Sequence, residues 1–266
     1  MHFFDTHSHI NMAEFSADAE TVIKRALNED IYVIIPGTDY KTSKKAIDLA
    51  NKYQKGVYAA IGVHPSELET ERFSYDMYAM LTKFPKTVAV GEIGLDYAWR
   101  ELDSDIESRK RLQKEIFLKQ LELSRKVDIP AIIHCRQAED DMLPLLKDFR
   151  HEYKDLMPKD RPWGVLHCFS GDENLAWEYF NLGLIISFTG LITFSQRWDD
   201  LIRKVPEDKL MIETDAPFMT PEPYRGTRNE PLLVQYVAKR IAEIRNTTVE
   251  KVAEFTSANA HKMFKL

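Results

Sequence analysis

Five of the eight histidines in this 266-residue chain stand just beyond a short run of β-branched and apolar residues. The first run ends in Asp5-Thr6-His7-Ser8-His9, the third in Gly62-Val63-His64-Pro65 and the fourth in Gly91-Glu92. The fifth ends in His134-Cys135-Arg136, the sixth in His167-Cys168 and the eighth in Glu213-Thr214-Asp215. Taken singly, each has an ordinary reading: a His-x-His is often a turn, a lone histidine a satisfied core residue, and Asp215 before Ala216-Pro217 a turn starter. Together, leaving His64 aside, they supply six imidazole and carboxylate donors from five strands, a mixed N/O set that suits Zn, Mn and similar divalent ions. Period-2 alternation sets Asp5, His7 and His9 on one face, so that both imidazoles turn the same way. The same alternation turns Cys135 and Cys168 away from the adjacent histidines, as packing residues rather than ligands or nucleophiles.

Such convergence needs a scaffold that gathers strand ends. The strand-like runs are Phe3–His7, Tyr32–Pro36, Val57–Ile61, Thr87–Gly91, Ala131–Cys135, Gly164–Cys168, Leu184–Phe188 and Lys209–Glu213. Amphipathic stretches lie between them, among them Ala17–Asn28, Thr42–Tyr53, Ile106–Val127 and Glu139–Phe149. Val234, Val237, Ala238, Ile241 and Ile244 repeat at helical spacing, and a further helix is expected over Val249–Phe264. Strands alternating with helices predict a parallel sheet with right-handed crossovers, and eight of them close into a (β/α)8 TIM barrel. An open dinucleotide-binding sheet is disfavoured, because no strand run is followed by Gly-x-Gly-x-x-Gly. The length suits a single domain over residues 1–266, with the chemistry at the C-terminal ends of the strands.

Composition narrows the function less. The chain is 44% hydrophobic and 29% charged with a net charge of −6, which argues against electrostatic coating of a nucleic acid. Phosphate chemistry would instead need local positive charge, which bound cations provide. No run of about 20 apolar residues predicts a membrane span. The start, Met1-His2-Phe3-Phe4-Asp5, has no signal-peptide pattern, and two cysteines do not make a disulfide framework. A cytoplasmic setting is therefore expected, with no membrane association and no obligate protein partner.

An ordered set of motifs goes further. FDTHSH at 4–9, IGVHP at 61–65, VGEIGLDY at 90–97, IHCR at 133–136, LHCFSG at 166–171, IETDAP at 212–217 and RNEP at 228–231 follow one another. In them the chain resembles the TatD family of metal-dependent deoxyribonucleases, within the amidohydrolase-like metal barrels. The resemblance implies two divalent metal ions (Mg, Mn or Zn) held by His7, His9, Glu92, His134, His167 and Asp215. Glu92 would bridge them, and the retained His-x-His favours a fully loaded pair. It also implies DNA as substrate, single-stranded or frayed ends favoured, with Glu92 and Asp215 catalytic. His64, Arg136, Arg228 and Asn229 would contribute to binding phosphate or positioning loops.

The segments after the fourth and eighth runs carry Tyr97, Trp99, Phe218 and Tyr224. These rings either stack on exposed bases or pack the loops onto the barrel. Two rival readings are a hydrolase of a small phosphoester, lactone or amide, and a metal-binding interaction protein with vestigial catalysis.

Overall fold

The computed structural model describes residues 2–98 and 105–266. Among these, eight strands form one sheet in sequence order: β1 Phe3–Asp5, β2 Ile31–Pro36, β3 Val57–Ile61, β4 Thr87–Asp96, β5 Ala131–Arg136, β6 Gly164–Leu166, β7 Leu184–Phe188 and β8 Leu210–Ile212. Every neighbouring pair is parallel. The seam between β8 and β1 is closed by Thr6 N–H donating to the Ile212 carbonyl (3.2 Å), Asp215 N–H to that of His7 (2.9 Å) and His9 N–H to that of Ala216 (2.7 Å). The expected TIM barrel is therefore the observed fold.

Helices follow the strands: α1 Ala19–Asn28, α2 Tyr40–Ala50, α3 Tyr75–Leu81, α4 Ile106–Lys126, α5 Glu139–Glu152, α6 Glu173–Asn181, α7 Asp199–Lys204, α8 Val234–Arg245 and α9 Val249–Phe264. Helix α2 starts at Tyr40, ahead of the expected Thr42, because Asp39 and Thr42 cap it reciprocally. The Asp39 carboxylate accepts from Thr42 N–H at 2.6 Å, and Thr42 Oγ1 accepts from Asp39 N–H at 2.9 Å. Among the described residues no helix is long and apolar enough to cross a membrane.

Alternation along each strand divides the core in two. Phe4, Ile34, Ala60, Ala89, Ile132, Val165, Ile185 and Met211, one from each strand, meet as a buried group inside the barrel. Ala260, Met263 and Phe264 of α9 close that interior from below. The opposite parity, including Phe3, Val33, Ile61 and Ile133, packs outward beneath the helices. The inward series continues upward to His134 above Ile132 and to His167 above Val165, which is how two histidines reach the mouth.

Two local features place the remaining donors. The β4 register shifts between Val90 and Ile93, and this irregularity turns Glu92 onto the face that strict alternation from Ala89 would have denied it. Gly94 lies so close to β5 that a Cβ would sit 1.9 Å from the His134 carbonyl oxygen, and its φ is 151°. Only glycine allows β4 to continue alongside β5 as far as Asp96.

Candidate metal centre and substrate cavity

The six expected ligand residues meet at the C-terminal mouth of the barrel. Their backbones are pinned by neighbouring strand ends: Glu92 N–H donates to the Gly37 carbonyl at 3.0 Å, and His167 N–H to that of Ile133 at 3.0 Å. Asp215 has a φ of 56°, a left-handed conformation that costs a non-glycine residue free energy. It is held there from both sides, through its own N–H to His7 and through Phe218 N–H to its carbonyl at 2.9 Å.

Glu92 lies at the centre, and its two oxygens face different partners. Oε2 is 3.3 Å from His7 Nε2 and 3.3 Å from His9 Nε2. Oε1 is 2.8 Å from His134 Nδ1 and 2.8 Å from His167 Nε2. Asp215 Oδ1 adds to the first group, 3.7 Å from His7 and 3.5 Å from His9. The His7 ring stacks on His167 with centroids 4.0 Å apart. Among the described residues, four sets of donor atoms are compact enough to hold an ion: His7, His9 and Glu92; His7, His167 and Asp215; Glu92, His134 and His167; and, beside them, His64, Asp96 and His134.

The facing nitrogens supply the test of whether these residues fit a metal. His7 Nε2 and His9 Nε2 are 3.0 Å apart, and His134 Nδ1 and His167 Nε2 are 3.1 Å apart. A neutral imidazole offers a proton on one nitrogen and a lone pair on the other. Two such pairs converging on one buried carboxylate need shared protons or cations between them, so the donor set fits divalent ions. Buried His7 Nδ1 and His9 Nδ1 have no hydrogen-bond partner, which leaves the Nε2 edges to carry the interactions.

The electrostatics follow from this crowding. Burial pushes the Glu92 carboxyl up, but the imidazoles of His167, His64, His7 and His134 outweigh it and hold it well below the usual range. Burial likewise opposes ionisation of Asp215, and His9, His7 and His167 together bring it below its ordinary value. His9 is lowered by burial yet driven by Asp215 and Glu92 up to about 9. His7, buried and stacked on His167, is lowered.

Two further carboxylates stand behind these histidines, neither of them assigned a role by the sequence reading. His134 turns its Nε2 to Asp96 Oδ2 at 3.2 Å, and His167 turns its Nδ1 to Glu213 Oε1 at 3.3 Å. At His134 this partner orients the imidazole and fixes its tautomer through a hydrogen bond, whereas Glu213 approaches His167 as a charge neighbour without hydrogen-bond geometry. Asp96 was hidden because strand four was expected to stop at Gly91. Gly94, a glycine inside an apolar run, was the signal of a longer strand in close contact.

Above the cluster lies a cavity of about 500 Å³, whose lining includes His9, His64, Glu92, Asp96, His134, Arg136, His167 and Asp215. His64 Nδ1 accepts from Ser66 N–H at 3.1 Å, so the ring carries its proton on Nε2, which points at Glu92 Oε1 from 3.4 Å. Arg136 stands exposed at the rim.

Arg228 and Asn229 sit elsewhere. Arg228 binds both carboxylate oxygens of Asp18 (3.0 and 2.6 Å) and also Glu230. Asn229 is fully buried, donating to the carbonyls of Thr214 at 2.9 Å and Phe218 at 2.5 Å. Those contacts support loop positioning rather than direct contact with phosphate.

Two expectations from alternation need correction. Strand β1 ends at Asp5, whose carboxylate accepts from Thr214 N–H (2.8 Å) and Oγ1–H (2.6 Å) instead of joining the histidines. Cys168, with a φ of 46°, leaves the strand geometry and lines the cavity, as does Cys135. Burial pushes both thiols up, Cys135 to about 12, so they are present as neutral thiols.

Comparison with known proteins agrees with this geometry. The family model described as TatD related DNase matches residues 4–265. The metal-dependent hydrolase YabD of Bacillus subtilis is 37% identical over 267 residues, covering 99% of each chain. The 3'-5' ssDNA/RNA exonuclease TatD of a Rahnella species is 29% identical, covering 99% of this chain and 98% of its own. The crystal structure of YjjV, a TatD homologue from Escherichia coli K12, superimposes with a TM-score of 0.86 at 31% identity, covering 99% of this chain and 98% of that one. The chain thus belongs to the TatD-related DNase family and is a metal-dependent hydrolase.

Proposed function

We propose that this protein hydrolyses DNA phosphodiester bonds as an exonuclease on single-stranded or frayed ends. His7, His9, Glu92, His134, His167 and Asp215 would hold two divalent cations (Mg, Mn or Zn). The observation that carries the reading is the placing of the two Glu92 oxygens, each against its own pair of imidazoles, on the floor of a cavity open to solvent. The 3'-5' ssDNA/RNA exonuclease named among the relatives supports a single-stranded nucleic acid as substrate.

When bound, the cations supply the positive charge that acidifies an attacking water and offsets charge on the phosphoryl oxygens. The protein's own groups do the rest. Asp215, kept ionised by its histidine neighbours, accepts the proton of the water and returns it to the leaving oxygen. His64 donates from Nε2 to a non-bridging oxygen, while Arg136 draws the phosphate to the rim. The walls of the cavity hold the ester in line for displacement.

The test is a denaturing-gel assay on single-stranded DNA labelled separately at each end. It is run with Mg²⁺, Mn²⁺ or Zn²⁺, with chelator, and beside a folded Glu92→Ala variant. Shortening that needs metal and is lost in the variant is expected, and the two labels report polarity. Cleavage retained by Glu92→Ala overturns the assignment. Turnover of small esters with intact oligonucleotides would point to a small-molecule hydrolase instead.

A further inference from the structure

The cavity over the histidine cluster has two unlike walls. The loops after β2 and β3 and the ends of β4 and β5 give it a polar side, with Thr38, His64, Ser66, Asp96 and Arg136. The segments following β1, β7 and β8 give it an apolar side, made of Met12, Leu191, Phe218 and Met219. Phe218 is the most exposed aromatic ring among the described residues, at 47%, and stands beside the proposed ligands with its centroid 6.5 Å from that of His9.

Scattered exposed apolar side chains are common on protein surfaces and signify little. This ring differs in standing on a backbone that is anchored on both sides at the edge of a functional cavity. Its N–H donates to the Asp215 carbonyl at 2.9 Å, and its carbonyl accepts from buried Asn229 at 2.5 Å. The next residue, Met219, is braced against Gly190, where a Cβ would fall 2.1 Å from the Met219 carbonyl oxygen. Phe218 and Leu191 are thus presented by two interlocked loops and not by a mobile tip.

The other rim aromatics are engaged with protein partners. Tyr97 donates its hydroxyl to Asp141 at 2.8 Å and lies under Lys110. Tyr224 shares a hydrogen bond with Tyr236 at 2.9 Å and packs edge-on against it. Trp99 lies outside the described residues.

We propose that the apolar wall is a nucleobase subsite, where the Phe218 ring stacks on the base of the nucleotide whose phosphate rests on the histidine cluster. This inference rests on the phosphodiesterase reading above and names how that substrate is gripped. A flat π-face carried on an anchored backbone beside the phosphate position takes any base, since each base has a π-face of its own. The four side chains of this wall carry no N–H or O–H donor, so they read no base edge. The subsite therefore selects for the presence of a base and not for its identity.

The experiment is a cycle on the metal-loaded enzyme that pairs Phe218→Ala with removal of the terminal base, using single-stranded oligonucleotides ending in a normal or an abasic nucleotide. In the wild type, loss of that base should raise KM by about 5- to 150-fold, the range for one base–aromatic stack. In Phe218→Ala the KM for the normal end should already be raised by a similar factor, and removing the base should add little. Phe218→Trp should restore the difference, while Phe218→Leu, which keeps apolar bulk without a π-face, should restore only part of it.

Equal base dependence in wild type and Phe218→Ala overturns the subsite while leaving the nuclease intact. A strong preference among the four terminal bases also overturns it. A wild type that cuts neither substrate overturns the subsite together with the phosphodiesterase reading.

Discussion

Replacing Asp96 by Asn changes one charge behind His134 and tests what that charge does. His134 presents Nδ1 to Glu92 Oε1 at 2.8 Å and Nε2 to Asp96 Oδ2 at 3.2 Å. A carboxylate can only accept, so it draws the ring proton to Nε2 and leaves the Nδ1 lone pair facing the cluster. Burial works against the Asp96 charge, but His134 and the Ala98 N–H hold the carboxyl below its usual value. Asparagine has the same shape, yet its amide donates as readily as it accepts. With its oxygen kept on the Ala98 N–H, its amide nitrogen faces His134 Nε2 and donates to it, which moves the ring proton to Nδ1, and the charge that strengthens Nδ1 as a donor is gone. Partners of this kind are worth about 10- to 100-fold in metal affinity, or about 1.4–2.7 kcal/mol.

Chelator competition with Zn²⁺ on the metal-free protein reads this loss directly, without an activity assay. Asn can still accept from Ala98 N–H at the position of Oδ1, so the metal-free melting temperature should fall by less than about 4 °C. Unchanged zinc affinity in Asp96→Asn would refute the reasoning. So would an affinity loss accompanied by a metal-free melting temperature lowered well beyond that margin.

Other expectations follow from the same contacts. Glu213→Gln sets an amide against the Ser187 hydroxyl (2.5 Å) and the Cys168 N–H (2.6 Å). Denaturant unfolding should show a loss of about 1–3 kcal/mol for the mismatched buried group, along with weaker zinc binding through His167. Asn229→Ala strands the Thr214 and Phe218 carbonyls; it should cost a similar amount and raise KM for oligonucleotides by loosening Phe218. In the metal-free protein His9 is raised to about 9, and His134 and His167 are raised by their carboxylate neighbours despite burial. His9 therefore holds a proton near neutrality that a cation must displace, and the raised His134 and His167 act in the same direction, so loading should release protons and apparent affinity should weaken as pH falls below about 9. Calorimetric heats independent of the buffer's ionisation enthalpy would contradict this.

Where periodicity is continuous, the sequence and the fold agree closely. Strands β3 and β7 and helix α9 occupy the expected residues, because uninterrupted apolar patterns are bounded by clear turn residues. The three intervening helices that the sequence does not delimit, α3, α6 and α7, have 7, 9 and 6 residues, too few turns for a periodic face to stand out. Strand ends are misjudged in both directions. Strands β1 and β6 stop at Asp5 and Leu166, short of their histidines. Strand β4 overruns to Asp96 past two glycines. The gathering of His7, His9, His134, His167 and Asp215 was legible because a barrel brings every strand end to one mouth. The inward place of Glu92 came only through the family resemblance, since it depends on a register shift that periodicity does not announce.

Four carboxylates are buried in that mouth, and their partners sort them by purpose. Asp5 and Glu213 are satisfied by neutral donors: Thr214 N–H and hydroxyl for the first, Ser187 hydroxyl and Cys168 N–H for the second. Glu92 and Asp215 are faced mainly by imidazoles. The titration directions divide the same way where they differ: burial wins at Asp5 and pushes it well above the usual range, whereas the histidines win at Glu92 and Asp215. A carboxylate satisfied by backbone and hydroxyl groups needs no cation; one ringed by imidazole nitrogens does. Asp5→Ala should therefore leave the Thr214 N–H bare and lower unfolding free energy by about 1–3 kcal/mol, yet bind zinc with unaltered stoichiometry. Asp215→Ala should show the reverse emphasis, with weaker or fewer zinc ions bound to a chain that still folds. Calorimetric titration beside urea unfolding separates the two, and an Asp5→Ala protein that is folded but has lost a zinc equivalent would show that Asp5 serves the metals after all.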